Sequence, residues 1–139
     1  MAVVKHTKAE IKLLARLMRA EAESEGKKGM LCVGNVAVNR CRAKCFEFKK
    51  QKTLEAVVMK KPGGFEATSK GYFYQAARKQ DIELAKRVLN GERFFPATTA
   101  LWFYNPFRKA CKSKWWNQSL TGKYKSHCFY SPDSSSKCY

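Results

Sequence analysis

Between Ile11 and Ala22 apolar side chains recur at steps of three and four residues, through Leu14, Leu17 and Met18, while Lys8, Lys12, Arg16 and Arg19 fall mainly elsewhere on the wheel. Thr7, followed three residues later by Glu10, forms a capping box just ahead of this run, so a helix is expected from there to about Glu25, ended by Gly26. A second helix is expected from about Lys28 to Arg42, with Val33, Val36, Ala37 and Cys41 inward and Gly34 open to close approach by another backbone. Leu54 to Lys60 reads as a short helix broken at Pro62, Gly63 and Gly64, with FEATSKG as a loop. A third long helix, from about Tyr74 to Leu89, turns Ala77, Ile82, Ala85, Val88 and Leu89 inward and stops at Asn90 and Gly91. The pattern then changes: LWFYN before Pro106 and YKSHCFY near the end are aromatic and β-prone, as short strands or loop walls, and SPDSSSKCY reads as a loose tail. The expected fold is mainly α, in the α+β sense, with a small β component.

With 139 residues, 45% of them hydrophobic, the chain forms one domain over 1–130 followed by the polar tail 131–139; a chain of this size buries roughly two thirds of its unfolded surface. Charge changes the picture more. The 28 Lys and Arg against 11 Asp and Glu leave a net +17, beyond what solubility requires, which points to a polyanionic partner. The basic residues are spread, with small groups at Lys49, Lys50 and Lys52, at Lys60 and Lys61, and at Lys109, Lys112 and Lys114. No apolar run approaches the roughly 20 residues of a membrane span, and the N-terminal residues lack the stretch of a secretory signal, so synthesis in a reducing compartment without export is expected. The six cysteines are accordingly expected as mostly free thiols, with Cys32 and Cys41 in the core and the exposed ones available for later cross-linking. Cys41 and Cys45 are the one close pair, without the second pair a structural zinc uses, and no metal or cofactor is expected. There is no P-loop, G-x-G-x-x-G, G-x-S-x-G or H-E-x-x-H, and Cys128 beside His127 on an extended strand points to the opposite face.

Chemistry concentrates at Glu21. It lies seven residues from Leu14 and four from Leu17, on the inward helix face, whereas Glu23 lies about 200° around the helix and is solvated. Desolvation disfavours the ionised carboxylate, so Glu21 is expected to carry a raised pKa, as a general acid for glycosidic oxygen requires. A buried ion pair with one of the many basic residues is the structural alternative. Aromatic and amide side chains are dense at Phe65, Tyr72, Phe73, Tyr74, Trp102, Phe103, Tyr104, Asn105, Trp115, Trp116 and Asn117. Rings against pyranose faces and amides on hydroxyls suit a glycan; Phe73, Phe103 and Phe129 read better as core, and stacking beside +17 would also suit single-stranded nucleic acid.

Five blocks in order, LLARLMRAEAESEG, VGNVAVNR, KPGGFEA, ALWFYNP and KSHCFY, resemble the catalytic domain of the SleB/CwlJ spore-cortex cell-wall hydrolases, from about Thr7 to Tyr130. The resemblance is to the short branch without signal peptide or peptidoglycan-binding domain. It implies a lysozyme-like lytic transglycosylase fold, with the glutamate of A-E-A, here Glu21, as catalytic acid and base. Cleavage between N-acetylmuramic acid and N-acetylglucosamine of spore cortex peptidoglycan during germination would leave a 1,6-anhydro ring. One carboxylate suffices when the sugar supplies its own nucleophile, whereas hydrolysis generally uses two, with Glu66 the best second. Phe65 and Glu66 would border the cleft and Tyr104 with Asn105 would face the acid, while Asn39 and Arg40 are read as structural. The resemblance also implies synthesis in the mother cell, deposition at the coat and cortex boundary, and a coat protein partner, with cysteines and tail as attachment points. Hydrolysis as a muramidase, glucosaminidase or amidase, a basic nucleic-acid-binding module, and a noncatalytic coat component are the alternatives.

Overall fold

The computed structural model describes residues 2–61, 64–115 and 118–139; the expected break at Pro62 and Gly63, and the aromatic and amide pair Trp116 and Asn117, lie outside them. Helix α1 spans Lys8–Ala22, and the capping box forms: the Thr7 hydroxyl accepts from the Glu10 amide at 3.1 Å and the Glu10 carboxylate from the Thr7 amide at 3.0 Å. The other Glu10 oxygen accepts from the Glu55 amide, tying α3 (Leu54–Val58) to α1. After a 3-10 turn at Glu23–Glu25 the chain enters α2 (Gly26–Arg42) through Gly26 at φ +80°, a left-handed value that glycine takes without strain. The boundary expected at Gly26 is therefore real, and the second helix begins there at once, without an intervening loop.

Helices α1, α2 and α4 (Lys79–Leu89) pack on one another around a core that includes Leu14, Leu17, Met18, Val33, Val36, Val88 and Leu89. They meet at Gly34, where an added Cβ would stand 2.9 Å from Met18 Sδ and 3.0 Å from Val88 Cγ2. The close approach is by side chains from both neighbouring helices. The third long helix begins at Lys79, five residues later than the periodicity predicts. Gly71–Tyr74 instead forms a 3-10 turn that sinks Phe73 into the core, and Arg16 holds it by donating to the Phe73 carbonyl while lying over the ring at 4.5 Å. The helix starts where fully buried Asp81 accepts from the Arg78 amide and pairs with its guanidinium.

The aromatic segments do form strands. β1 (Trp102–Tyr104), β2 (Lys114–Trp115), β3 (Gln118–Tyr124) and β4 (His127–Ser131) make an antiparallel sheet in the order β1-β4-β3-β2. β3 carries Ser, Thr, Gly and Lys among few apolar residues, and its local pattern predicts no strand. Asn39 and Arg40 have the structural roles expected of them: Asn39 Nδ2 lies within 3.0–3.3 Å of the carbonyls of Ala97, Thr98 and Ala100, and Arg40 Nε donates to Leu101 at 2.8 Å. Both hold the turn that leads into β1.

Two expectations are corrected. Cys45 pairs with Cys138 and Cys111 with Cys128, so four of the six cysteines are disulfides rather than free thiols. Cys32 and Cys41 are free and buried, as expected of core residues, so no exposed thiol is left for intermolecular cross-linking. The C-terminal segment is not loose. Cys138 is buried with Ala43, Phe48 and Leu101 in a second small core, and its carbonyl accepts from the Lys44 amide. Partners 93 and 17 residues apart come together only once the sheet has formed, which local sequence does not show.

Candidate active site

The last turn of α1 places Glu21 at the floor of a cleft of about 380 Å³ between the helices and the sheet. The helical side contributes Glu21 and Arg40, the loop after α3 contributes Gly64, Phe65 and Glu66, and the sheet side contributes Phe103, Tyr104, Asn105, Phe107, Trp115 and His127. Glu21 also borders an adjoining hollow of about 670 Å³ lined by Arg19, Glu23, Tyr72 and Gln75. Glu21 is the residue that the two hollows share. Each volume lies within the range of ligand sites in general.

Burial pushes the Glu21 carboxyl up to about 7, with the nearby Glu66 carboxylate adding to the rise; the Arg40 guanidinium and the Ala67 backbone amide favour the ionised form but do not cancel it. Ala67 belongs to a 3-10 turn at Glu66–Ser69, so the start of the F-E-A-T-S-K-G segment, expected as plain loop, is a turn whose backbone reaches the acid. Glu66 itself is exposed and lies 3.9 Å from Lys70. Arg40 is 5% exposed, its guanidinium lies over Phe65 at 4.3 Å, and burial lowers its pKa to about 10. Glu23 is exposed and pairs with Arg19 and Arg78. Two carboxylates two residues apart thus sit in unlike surroundings.

On the sheet side, Tyr104 packs against Trp115 and Tyr130 with centroids at 4.9 and 5.6 Å. The Tyr130 hydroxyl donates to the Lys112 carbonyl and lies 3.3 Å from that of Tyr104. Asn105 Oδ1 accepts from the Phe107 amide at 2.8 Å, so its carbonyl oxygen holds the turn and its NH2 group is what remains for a ligand. Phe103, read from sequence as core, is only half-buried and borders the cleft while stacking on Phe129. Tyr72 borders the adjoining hollow. Trp102 is turned away, its indole N–H donating to Glu47.

Sequence reasoning weighed His127 only as a partner for Cys128, and passed over Glu25. Glu25 is 6% exposed and takes the Ser126 amide, the Ser126 hydroxyl and His127 Nδ1, the last at 3.2 Å. Nothing local marks Glu25, because its partners lie a hundred residues away. No helix among the described residues is long and apolar enough to cross a membrane.

With this geometry in view, comparison with known proteins is decisive. The Cell Wall Hydrolase family matches residues 24–130. The chain belongs to that family. It is 56% identical over 132 residues, covering 95% of this chain and 93% of the relative, to cell wall hydrolase CwlJ of Oceanobacillus iheyensis, and 51% identical, covering 95% and 92%, to CwlJ of Bacillus subtilis. Two solved structures share the fold: the catalytic domain of the Bacillus cereus SleB protein (TM-score 0.71, 24% identity, covering 91% of this chain and 92% of that one) and that of the germination-specific lytic transglycosylase SleB from Bacillus anthracis (TM-score 0.69, 24%, covering 90% and 96%). The architecture is accordingly lysozyme-like, mainly helical with a small sheet. The family match begins three residues after Glu21, whereas Glu25, Arg40, Glu66, Tyr104, Asn105 and His127 all fall within it.

Proposed function

We propose that this cell wall hydrolase is a spore cortex lytic transglycosylase of germination, with Glu21 as its acid and base. One observation carries the reading: a carboxyl raised to about 7 that is shared by two hollows, one of them with an aromatic wall. Protonated Glu21 gives its proton to the oxygen between N-acetylmuramic acid and N-acetylglucosamine as the bond from that oxygen to muramic C1 breaks. The resulting carboxylate takes the proton of the muramic 6-hydroxyl while that oxygen bonds to C1, which closes the 1,6-anhydro ring and restores the acid. Tyr104 offers ring surface, and Asn105 an amide N–H, to the glycan, while Phe65, only 5% exposed and covered by Arg40, shapes the cleft from within the core. The relatives named CwlJ and the likeness to a germination-specific SleB support substrate and setting. Action at the coat and cortex boundary after synthesis in the mother cell, with a coat protein partner, belongs to the same proposal. The +17 charge favours carboxylate-rich peptidoglycan.

Glu66 supports a second reading, hydrolysis, because a second carboxylate lines the same cleft and raises the pKa of the first. Mass spectrometry of fragments released from decoated spore cortex by wild type and Glu21→Gln separates the two. Anhydro-muramic ends from wild type alone are the expected result; reducing ends that vanish with Glu21→Gln would establish hydrolysis, and equal release by both proteins would remove Glu21 from the mechanism.

A further inference from the structure

Acid and base chemistry at Glu21 leaves one assembly in the cleft without a task. His127 heads β4 and lines the same cleft as Glu21, with its side chain 12% exposed. Its ring stands edge-on to Phe103 at 5.1 Å and to Phe129 at 6.3 Å, which fixes its plane. Its Nδ1 faces the buried Glu25 carboxylate at 3.2 Å, and Nε2 has no hydrogen-bond partner among the described residues. Burial lowers the pKa of this imidazole against the opposing pull of Glu25, which favours the neutral ring. A neutral ring that donates from Nδ1 presents a lone pair at Nε2, so Glu25 selects the tautomer.

The turn that delivers His127 is itself costly. Tyr124 pairs with His127, leaving Lys125 and Ser126 as a two-residue connection, and Lys125 takes φ +49°, where asparagine or glycine is usual. Burying a carboxylate costs several kcal/mol before its hydrogen bonds are counted. A turn that only had to close a hairpin needs neither.

We propose that His127, held by Glu25, is a substrate-contacting residue of the cleft, whose Nε2 accepts a hydrogen bond from a hydroxyl or amide N–H of the sugar bound beside Glu21. This rests on the cleft being a glycan groove and adds to it the residue that orients the sugar from the sheet side. Glu25 acts through His127 and is a positioning residue.

The test uses full-length Glu21→Gln protein, in which the chemistry is disabled, titrated with soluble N-acetylglucosamine–N-acetylmuramic acid oligomers while the imidazole nitrogens are followed by NMR. The Nε2 resonance is expected to move toward the hydrogen-bonded position on saturation, with Nδ1 nearly unmoved. Adding His127→Phe, which keeps a ring between Phe103 and Phe129, is expected to weaken binding about 3- to 10-fold, the worth of one hydrogen bond. His127→Gln, which restores a polar group near Nε2, is expected to recover most of that loss. Glycan binding with an unmoved Nε2, unchanged affinity in His127→Phe, or equal losses in the Phe and Gln variants would each overturn the assignment while leaving the groove intact. No glycan binding by folded Glu21→Gln protein would overturn the groove reading, and the assignment with it.

Discussion

At Glu21 the energetics are set by a single carboxyl. Moving its pKa from 4.5 to about 7 means that ionising it in the folded chain costs about 3 kcal/mol more than in the unfolded one. The folded state holds this proton more tightly, so the group's contribution to stability is most favourable below about 4.5 and is lost as pH climbs to about 7. Glu21→Gln is therefore expected to raise the thermal midpoint at pH 8 relative to wild type and to leave it little changed at pH 4, checked by thermal denaturation at the two pH values. Activity should lose about 10²- to 10⁴-fold in the same variant, the usual worth of a positioned acid. In wild type the rate of release should fall as pH rises above about 7, where the acid is ionised. Glu66→Gln removes a negative neighbour, so that fall is expected to shift toward lower pH; a profile left in place would mean that the two carboxyls do not communicate.

Between elements, a few side chains decide how helices and sheet meet, and with them the width of the cleft. Asn39 satisfies three carbonyls of the turn at 97–100 from the side of α2, beside Arg40, which holds Leu101 next to it. Asn39→Ala strands buried carbonyls and is expected to cost about 2 kcal/mol in urea unfolding. Gly34→Val brings a branched side chain against Val88 and Met18 and is expected to cost about 1–3 kcal/mol. Val88 has no room to swing aside as Met18 has, so an unperturbed midpoint would show α4 free to shift. Residue patterns anticipated both contacts in kind: a glycine on an apolar helix face marks close approach, and an amide in that face marks a polar group in need of partners. The partners Val88 and the carbonyls at 97–100, more than fifty residues on, were not legible.

For the whole molecule, the disulfides and the charge are the properties that no single element carries. Cys45–Cys138 fastens the C-terminal segment over the second small core, and Cys111–Cys128 fastens the loop after β1, which carries Phe107 at the cleft edge, to β4 beside His127. Replacing Cys45 and Cys138 together by Ser is expected to cost about 2–4 kcal/mol, read by chemical denaturation against wild type, with reductant producing a larger loss in wild type, where both bridges open, than in the variant, where only Cys111–Cys128 remains to open. A wild type indifferent to reductant would argue against both bridges. The spread of 28 basic residues predicts cortex retention that falls steeply between low and moderate salt.

The helices were determined by the sequence alone, because a 3.6-residue period and a capping box act over a few neighbouring positions, and the same arithmetic brought Glu21 to the inward face. Local chemistry likewise marked the aromatic strands β1 and β4. Only the tertiary structure decided the start of α4, where Phe73 is worth more in the core than in a helix turn, and the place of β3, a polar strand held by its neighbours' backbones. It decided the cysteine pairing and the docking of the tail as well. It also decided that Glu25 and His127 meet at the cleft across 102 residues of chain. A hydrogen bond or a disulfide depends on distance in space, and distance in space between remote residues exists only after the chain has closed on itself.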